Sequence, residues 1–262
     1  MSFFTPRFDR PGIGPENEPP RSAFYLFFRH LTTSFYALVG LNLLLFLLAL
    51  PLYVWLTTLF NIIAVEHGAG VPGMLAAVIL YYLPDMPPWL GILLFLASAL
   101  AWGPACAGLT YVTYRFSAGD HAWPFSDFWD AAKANWKQAV PTGLLDLLVT
   151  YATLNYLFSE DYAGMAAIRV LWYCLLLVYL CCRVFIYPLM VNVQAPWIVL
   201  VKDAFILGAV SVSRVFAVLL AAAVLLILSG YLDFVILPVF SYAFFSFFTC
   251  ALVHPVLDSR IN

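Results

Sequence analysis

The sequence predicts an all-α, polytopic integral membrane protein with about six transmembrane helices and with both termini in the cytoplasm. Three observations lead to this fold class: the composition, six apolar segments of spanning length, and the distribution of basic residues around them. Of the 262 residues, 64% are apolar and only 10% are charged, whereas a soluble domain is about half apolar and a quarter charged. Most side chains of this chain therefore require a bilayer rather than water around them.

The first element is an irregular cytoplasmic tail, residues 1–22, which is rich in Pro and Gly and carries mixed charge. It lacks the apolar core and the small-residue cleavage site of a signal peptide. Residues 23–262 are predicted to form a single transmembrane domain. A membrane-spanning helix needs about 20 apolar residues, and six segments have that length. The predicted spans are 32–60, 90–115, 139–158, 167–190, 209–229 and 232–253.

The basic residues determine the predicted orientation, because Lys and Arg are enriched in cytoplasmic loops. With the N-terminus inside, eleven of the twelve basic residues fall on the cytoplasmic side and Arg169 falls outside. We therefore expect a multi-pass protein of the plasma membrane. One apolar segment, Met74–Leu83, is too short to cross and is predicted to be an interfacial or re-entrant piece of the long outer loop between Asn61 and Trp89.

A Gly103-Pro104 pair lies near the middle of the second predicted span. Proline removes a backbone hydrogen bond and crowds the carbonyl of Leu100, which predicts a kink. Gly103 and Gly108, together with neighbouring alanines, form the spacing of small residues that lets two membrane helices approach closely. Two interpretations stay open. The pair shapes a packing helix, or the freed carbonyl lines a polar cavity, as in the broken helices of transporters.

An amphipathic helix is predicted between the second and third spans, with Ser126 as its N-cap. Phe128, Trp129 and Trp136 recur on one face, and acidic residues precede basic ones, in agreement with the helix dipole. Such a helix lies on the inner membrane surface. It either anchors the chain to lipid or docks a protein partner. The candidate partner-binding residues are Asp127, Asp130, Lys133, Trp136 and Lys137.

Several segments in order along the chain resemble the YesL family of bacterial membrane proteins. They are "GPACAGLTYVTYRF", "WPFSDFWDAAKANWKQA", "YPLMV" and "KDAFILGAV", preceded by "FFRHLTTSFYALVGLNLLLFLLALPLY" in the first span. The connection from Asn61 to Trp89 is longer than in the shortest members of that family. The resemblance implies about six spans and an association, through gene neighbourhood, with ABC-type importers of oligosaccharides. It implies no established activity and no functional residues.

Polar residues inside predicted spans are functional candidates, because their burial in a bilayer is costly. They are Asn42, Asp146, Asn155 and Arg183. Asp146 and Arg183 both fall in the inner half of the membrane, so they are able to pair across two helices. The pair is either a structural ion pair that sets helix register or a site for a substrate or a proton. Asn42 and Asn155 are expected to form hydrogen bonds between helices.

The remaining sequence patterns exclude several classes of function. The chain has no Gly-rich nucleotide-binding loop and no hydrolase or metalloprotease motif. The cysteines lie in apolar runs and the histidines are scattered, so neither a metal site nor a cofactor is expected. A net charge of −2 without a basic run argues against nucleic acid. We expect no enzymatic activity.

The function that remains is that of an accessory protein that binds, assembles or regulates a partner in the membrane. The expected partners are the lipid bilayer and the subunits of a carbohydrate ABC importer, with a second copy of the chain as an open alternative. A stand-alone secondary transporter or channel for a small polar solute is the competing hypothesis.

Overall fold

The structure, a computed structural model, describes residues 23–66, 88–158, 166–232 and 241–261. All regular elements within these ranges are helices, which confirms the predicted all-α class. The helices are α1 (Ala23–Thr33), α2 (Phe35–Glu66), α3 (Pro88–Ala118), α4 (Pro124–Phe158), α5 (Ala166–Asn192), α6 (Trp197–Val210), α7 (Val212–Leu232) and α8 (Tyr242–Ile261). The predicted tail 1–22, the segment Met74–Leu83 and residues 233–240 of the sixth predicted span lie outside the described residues.

Two helices are by themselves long and apolar enough to cross a bilayer. They are α3 over Phe95–Ala118 and α5 over Val170–Asn192. Two bent pairs qualify if each is taken as one span: α1 with α2, which meet at 66°, and α6 with α7, which meet at 93°. By length and composition, the described residues therefore contain two to four candidate spans, which is compatible with a membrane protein.

The predicted surface helix and the third predicted span form one continuous helix, α4. The helix begins at Pro124, where the missing N–H of proline costs nothing because the first N–H groups have no helical partner. The carboxylate of Asp127 reaches back and accepts the backbone N–H of Trp123 at 2.9 Å. The predicted N-cap, Ser126, therefore lies inside the helix. Pro141 is also inside α4 and does not end it.

Serines separate the helices of both bent pairs. Ser34 lies between α1 and α2, where the hydroxyl of Thr33 donates to the carbonyl of Arg29 at 2.8 Å. Ser211, with φ −107° and ψ 40°, leaves the helical conformation at the end of α6. Hydroxyl side chains near a helix end offer the backbone alternative hydrogen bonds, which favours such breaks. The separate helix α6 was not predicted from the sequence.

Helix α3 is the centre of the bundle, where it packs against α2, α4, α5 and α8. Its contact with α4 is the most extensive between any two helices in the described part of the chain. A Cβ atom on Gly103 would lie 1.9 Å from the carbonyl oxygen of Ala139, and a Cβ on Gly143 would lie 2.6 Å from the Cα of Gly103. Glycine at both positions therefore allows the two backbones to touch.

Pro104 and Gly108, the other two packing candidates of the second predicted span, also lie in α3. Pro104 is inside α3, which continues unbroken to Ala118. A Cβ on Gly108 would lie 2.5 Å from the carbonyl oxygen of Phe128, so α3 also approaches the start of α4 closely. The chain leaves α3 at Gly119, whose φ of +83° suits glycine. Close to this turn, Arg115 and Asp120 pair at 3.3 Å.

We predict that Gly103→Ala lowers the thermal stability of the purified protein in detergent. Helix propensity alone favours alanine by about 1 kcal/mol, but the added methyl group cannot fit beside the Ala139 carbonyl. Overpacking of this kind costs about 1–3 kcal/mol when the structure can adjust. The measurement is the melting temperature of both forms in one detergent.

Gly40→Ala is the matched control, since its Cβ would meet only the end of the exposed Phe125 side chain, at 3.3 Å. We expect Gly40→Ala to leave the melting temperature unchanged or to raise it. Equal melting temperatures for the two alanine variants would show that the α3–α4 crossing does not depend on Gly103.

Candidate functional site

An open cleft of about 890 Å³ lies at one end of the helix bundle. One wall is the first half of α4, and the other is the end of α5 with residues 193–196, which connect α5 to α6. Tyr111 of α3 also contributes to the lining. The polar side chains in the lining are Asp127, Asp130, Asn135, Lys137, Gln138, Asn192 and Gln194.

The structure divides the five candidate partner-binding residues into two groups. Asp127, Asp130 and Lys137 line the cleft, whereas Lys133 and Trp136 do not. Lys133 and Trp136 are exposed elsewhere on the helix. The predicted apolar face also divides, because Phe128 is buried against α3 while Trp129 is 42% exposed. The structure therefore brings only part of the predicted set into one site.

Two of the three charged residues in the cleft have no partner among the described residues. Within the described residues, neither Asp130 nor Lys137 forms an ion pair or a side-chain hydrogen bond, and both are exposed. They lie seven residues apart on α4, or about 10 Å along the helix axis. That distance is too long for a direct pair. The cleft therefore presents a separate negative and a separate positive charge to any molecule that enters it.

Hydrogen bonds to α4 hold the far wall of the cleft in place. The side-chain Nε2 of Gln138 donates to the carbonyl of Ala195 at 2.7 Å. The indole Nε1 of Trp197 donates to the hydroxyl of Thr142 at 3.0 Å. Trp197 is the first residue of α6. These two bonds attach the connection between α5 and α6 to one face of α4.

The same face of α4 continues from the cleft to a polar cluster between the helices. Gln138, Thr142 and Asp146 are spaced four residues apart, so they follow one stripe of the helix. Asp146 is 7% exposed. Its carboxylate accepts hydrogen bonds from Arg183 Nε at 2.9 Å and from the hydroxyl of Tyr187 at 3.1 Å. The hydroxyl of Tyr179 donates to its second oxygen.

Arg183 of α5 is held on three sides. Its Nε donates to Asp146, its guanidinium carbon lies 4.1 Å from the centre of the Tyr187 ring, and Nη2 lies 4.0 Å from the sulfur of Cys106. The contact with Tyr187 is a cation–π interaction, which is stronger away from water. The ion pair joins α4 to α5, and Cys106 brings in the central helix α3. Asp146 and Arg183, which the sequence left as a pair of candidates, thus contact each other directly.

The two asparagine candidates lie elsewhere. Asn42 of α2 is fully buried, and its Oδ1 accepts the backbone N–H of Ala243 at the start of α8 at 2.6 Å. Its Nδ2 is buried and has no hydrogen-bond partner among the residues that the structure describes. Asn42 therefore links α2 to α8 and is not hydrogen-bonded to the Asp146–Arg183 cluster. Asn155 belongs to α4, but its side chain lies outside the described part of the structure.

The sequence analysis did not identify four polar residues that hydrogen-bond at the cleft wall or in the Asp146–Arg183 cluster. Tyr179 and Tyr187 stand four residues on either side of Arg183, and Gln138 and Thr142 precede Asp146 at the same spacing. A search for polar residues repeated every four positions in an apolar helix would have found them. Within the ranges that the structure describes, no group of three or more His, Cys, Asp or Glu side chains is placed to hold a metal ion.

We predict that Asp146→Leu strongly destabilises the protein, whereas Asp146→Leu combined with Arg183→Met recovers most of the loss. Removal of one partner leaves a charge uncompensated in the bundle, at a cost of about 3–5 kcal/mol, but removal of both leaves none. The measurement is the free energy of unfolding in detergent for the wild type, both single variants and the double variant.

Asp120→Ala is the control, because it breaks the exposed pair with Arg115. We expect it to cost less than about 1 kcal/mol. If the free energy of unfolding lost in the double variant equals the sum of the losses in the two single variants, Asp146 and Arg183 do not stabilise each other.

Over residues 87–156, the chain is similar to a family described as a protein of unknown function, DUF624. The matched residues include all of α3 and most of α4. They therefore contain the α3–α4 crossing at Gly103, the α4 wall of the cleft and Asp146, but not Arg183. No curated protein and no solved structure matches the chain. The comparison relates the α3–α4 pair to this family, whose description states no activity.

Proposed function

We propose that the chain is a membrane accessory protein that binds, assembles or regulates a partner complex and has no enzymatic activity of its own. The observation that carries this proposal is the open cleft, in which Asp130 and Lys137 have no partner among the described residues. The resemblance to the YesL family makes a carbohydrate ABC importer the leading partner. The match to DUF624 is compatible with that resemblance.

The shape and charge of the cleft suit a peptide segment of another protein. Its volume of about 890 Å³ is near the upper end of the range of about 300–1,000 Å³ for small-molecule pockets, which are mostly apolar. Its lining is rich in charged and amide side chains instead. A partner segment with a base facing Asp130 and an acid facing Lys137 would bind in only one direction, because electrostatic complementarity sets orientation more than affinity.

Exposed aromatic side chains support placing the cleft at a membrane surface. Trp123, Phe125 and Trp129, at the start of α4, are 68%, 54% and 42% exposed. Aromatic residues of this kind concentrate at the level of the lipid head groups. Lys133 and Lys137 of the same helix favour the cytoplasmic side. We therefore propose that the cleft opens at the inner surface of the plasma membrane.

We predict that Asp130→Ala combined with Lys137→Ala reduces the amount of carbohydrate importer subunits that co-purify with the tagged full-length protein. The double change removes both unpaired charges from the cleft and spares Asp127, which the start of α4 needs. Mass spectrometry of the material that co-purifies from host membranes identifies and quantifies the partner. Lys133→Ala is the matched control, since it removes a charge from the same helix outside the cleft, and we expect it to change nothing.

Secondary transport is the competing function, and it is favoured by the ion pair between Asp146 of α4 and Arg183 of the apolar helix α5. The two functions differ in what the isolated chain does. We expect liposomes that contain only this protein to take up no sugar. Robust uptake that Asp146→Asn abolishes would replace the accessory function by transport, whatever the co-purification result.

We also propose six spans with both termini in the cytoplasm, from the positive-inside rule. In a background without native cysteines, we predict that Asp120→Cys reacts with an impermeant thiol reagent only in inverted vesicles. Asp161→Cys should react only in intact cells, because it follows the third predicted span. Labelling of both cysteines from the same side would contradict the six-span topology.

A further inference from the structure

Arg183 has more hydrogen-bond donors than the surrounding chain uses. A guanidinium carries five N–H donors. One, on Nε, goes to Asp146, and Nη2 reaches only the sulfur of Cys106 at 4.0 Å, a weak contact. Apart from Asp146, no residue in the described part of the chain offers an oxygen atom within hydrogen-bond distance of Nη1 or Nη2. The Arg183 side chain is nevertheless 31% exposed, although it belongs to a helix apolar enough to span a bilayer.

The carboxylate of Asp146, in contrast, can accept few further hydrogen bonds. Its two oxygens receive donors from Arg183, Tyr179 and Tyr187, and its side chain is only 9% exposed. The two tyrosine hydroxyls use acceptor sites of the carboxylate that would otherwise be open to Arg183. The cluster therefore has surplus donors and few free acceptors. This balance does not suit a cation, because a cation would need free oxygen atoms.

We propose that the Nη1–Nη2 edge of Arg183 binds a carboxylate or phosphate group at this depth in the bundle. The edge is planar and offers parallel N–H donors, which match the two oxygens of such a group. Asp146 holds the Nε side, and the Tyr187 ring lies against the guanidinium, so the edge is oriented before the anion arrives. In this low-dielectric setting, a charge-assisted hydrogen bond is stronger than at a surface.

The surroundings of the edge also contain aromatic surface. Cys106 follows Trp102 by four residues on α3, so the two share a face. The Trp102 ring packs against the Tyr242 ring of α8 with their centres 5.6 Å apart, and Tyr242 is 40% exposed. An anion attached to an apolar or amphipathic body would also find aromatic surface there, although the edge itself recognises only the charged group. The head group of an anionic lipid and a soluble anion share this chemistry.

The test uses the purified full-length protein in dodecyl maltoside, an uncharged detergent without phosphate, to which phosphatidylglycerol, inorganic phosphate or acetate is added in separate titrations. We expect at least one of the three anions to raise the melting temperature in a saturable way. Arg183→Lys keeps the charge beside Asp146 but loses the planar edge, so we expect its affinity to fall about tenfold or more.

Arg115→Lys is the matched control, because Arg115 is also an arginine paired with one aspartate, but outside the cluster. It should bind the anion like the wild type. A response to phosphatidylglycerol alone would identify a lipid head group, and a response to phosphate or acetate would identify a soluble anion. Either supports the site. No saturable response to any of the three, or an unchanged response in Arg183→Lys, would overturn it.

If Arg183→Lys does not fold, Asp146→Asn combined with Arg183→Gln replaces it, since this pair keeps hydrogen-bonding groups and removes both charges. We expect the double variant to be folded and to show no response to the anion. A response equal to that of the wild type would overturn the proposal. The site does not depend on the cleft, so failure of the co-purification experiment would leave this prediction intact.

Discussion

The close contact between α3 and α4 at Gly103 and Gly143 is the constraint on which the rest of the bundle depends. Helices in a bilayer gain little from the hydrophobic effect when they associate, so packing and polar contacts have to hold them together. Here the backbones touch, with Gly103 against the carbonyl of Ala139. Because α3 also packs on α2, α5 and α8, this one crossing sets where α4 places its polar face relative to the other helices.

That polar face carries two sites that rely on different electrostatics. At the cleft, Asp130 and Lys137 are exposed, so their attraction for a partner is weakened by water and by salt. They are suited to orienting a partner rather than to binding it tightly. Asp146 is buried and Arg183 is only partly exposed, so a broken pair or an added anion has a larger effect there than at the cleft. One helix thus connects the cleft that we propose as a recognition surface with a mostly buried ion pair.

Several differences between the predicted and observed elements have a local cause. The apolar pattern did not reveal that α4 would continue through Pro141, because proline weakens a helix without always ending it when neighbouring helices hold both sides. The breaks at Ser34 and Ser211 were not predicted, because a serine inside an apolar run does not by itself indicate a helix end. Tertiary packing decides whether the chain turns there.

The amino-acid sequence by itself determined the all-α class, an apolar composition compatible with a membrane protein and the individual polar candidates, since these follow from composition and from the cost of burying charge in lipid. It also carried the spacing of four between Tyr179, Arg183 and Tyr187. Tertiary structure alone decided which candidates meet. Asp146 and Arg183 come together, Asn42 pairs with α8 instead, and Lys133 and Trp136 do not line the cleft that Asp130 and Lys137 share. Such choices depend on how separate helices are rotated and crossed, and no local pattern specifies the rotation of one helix against another.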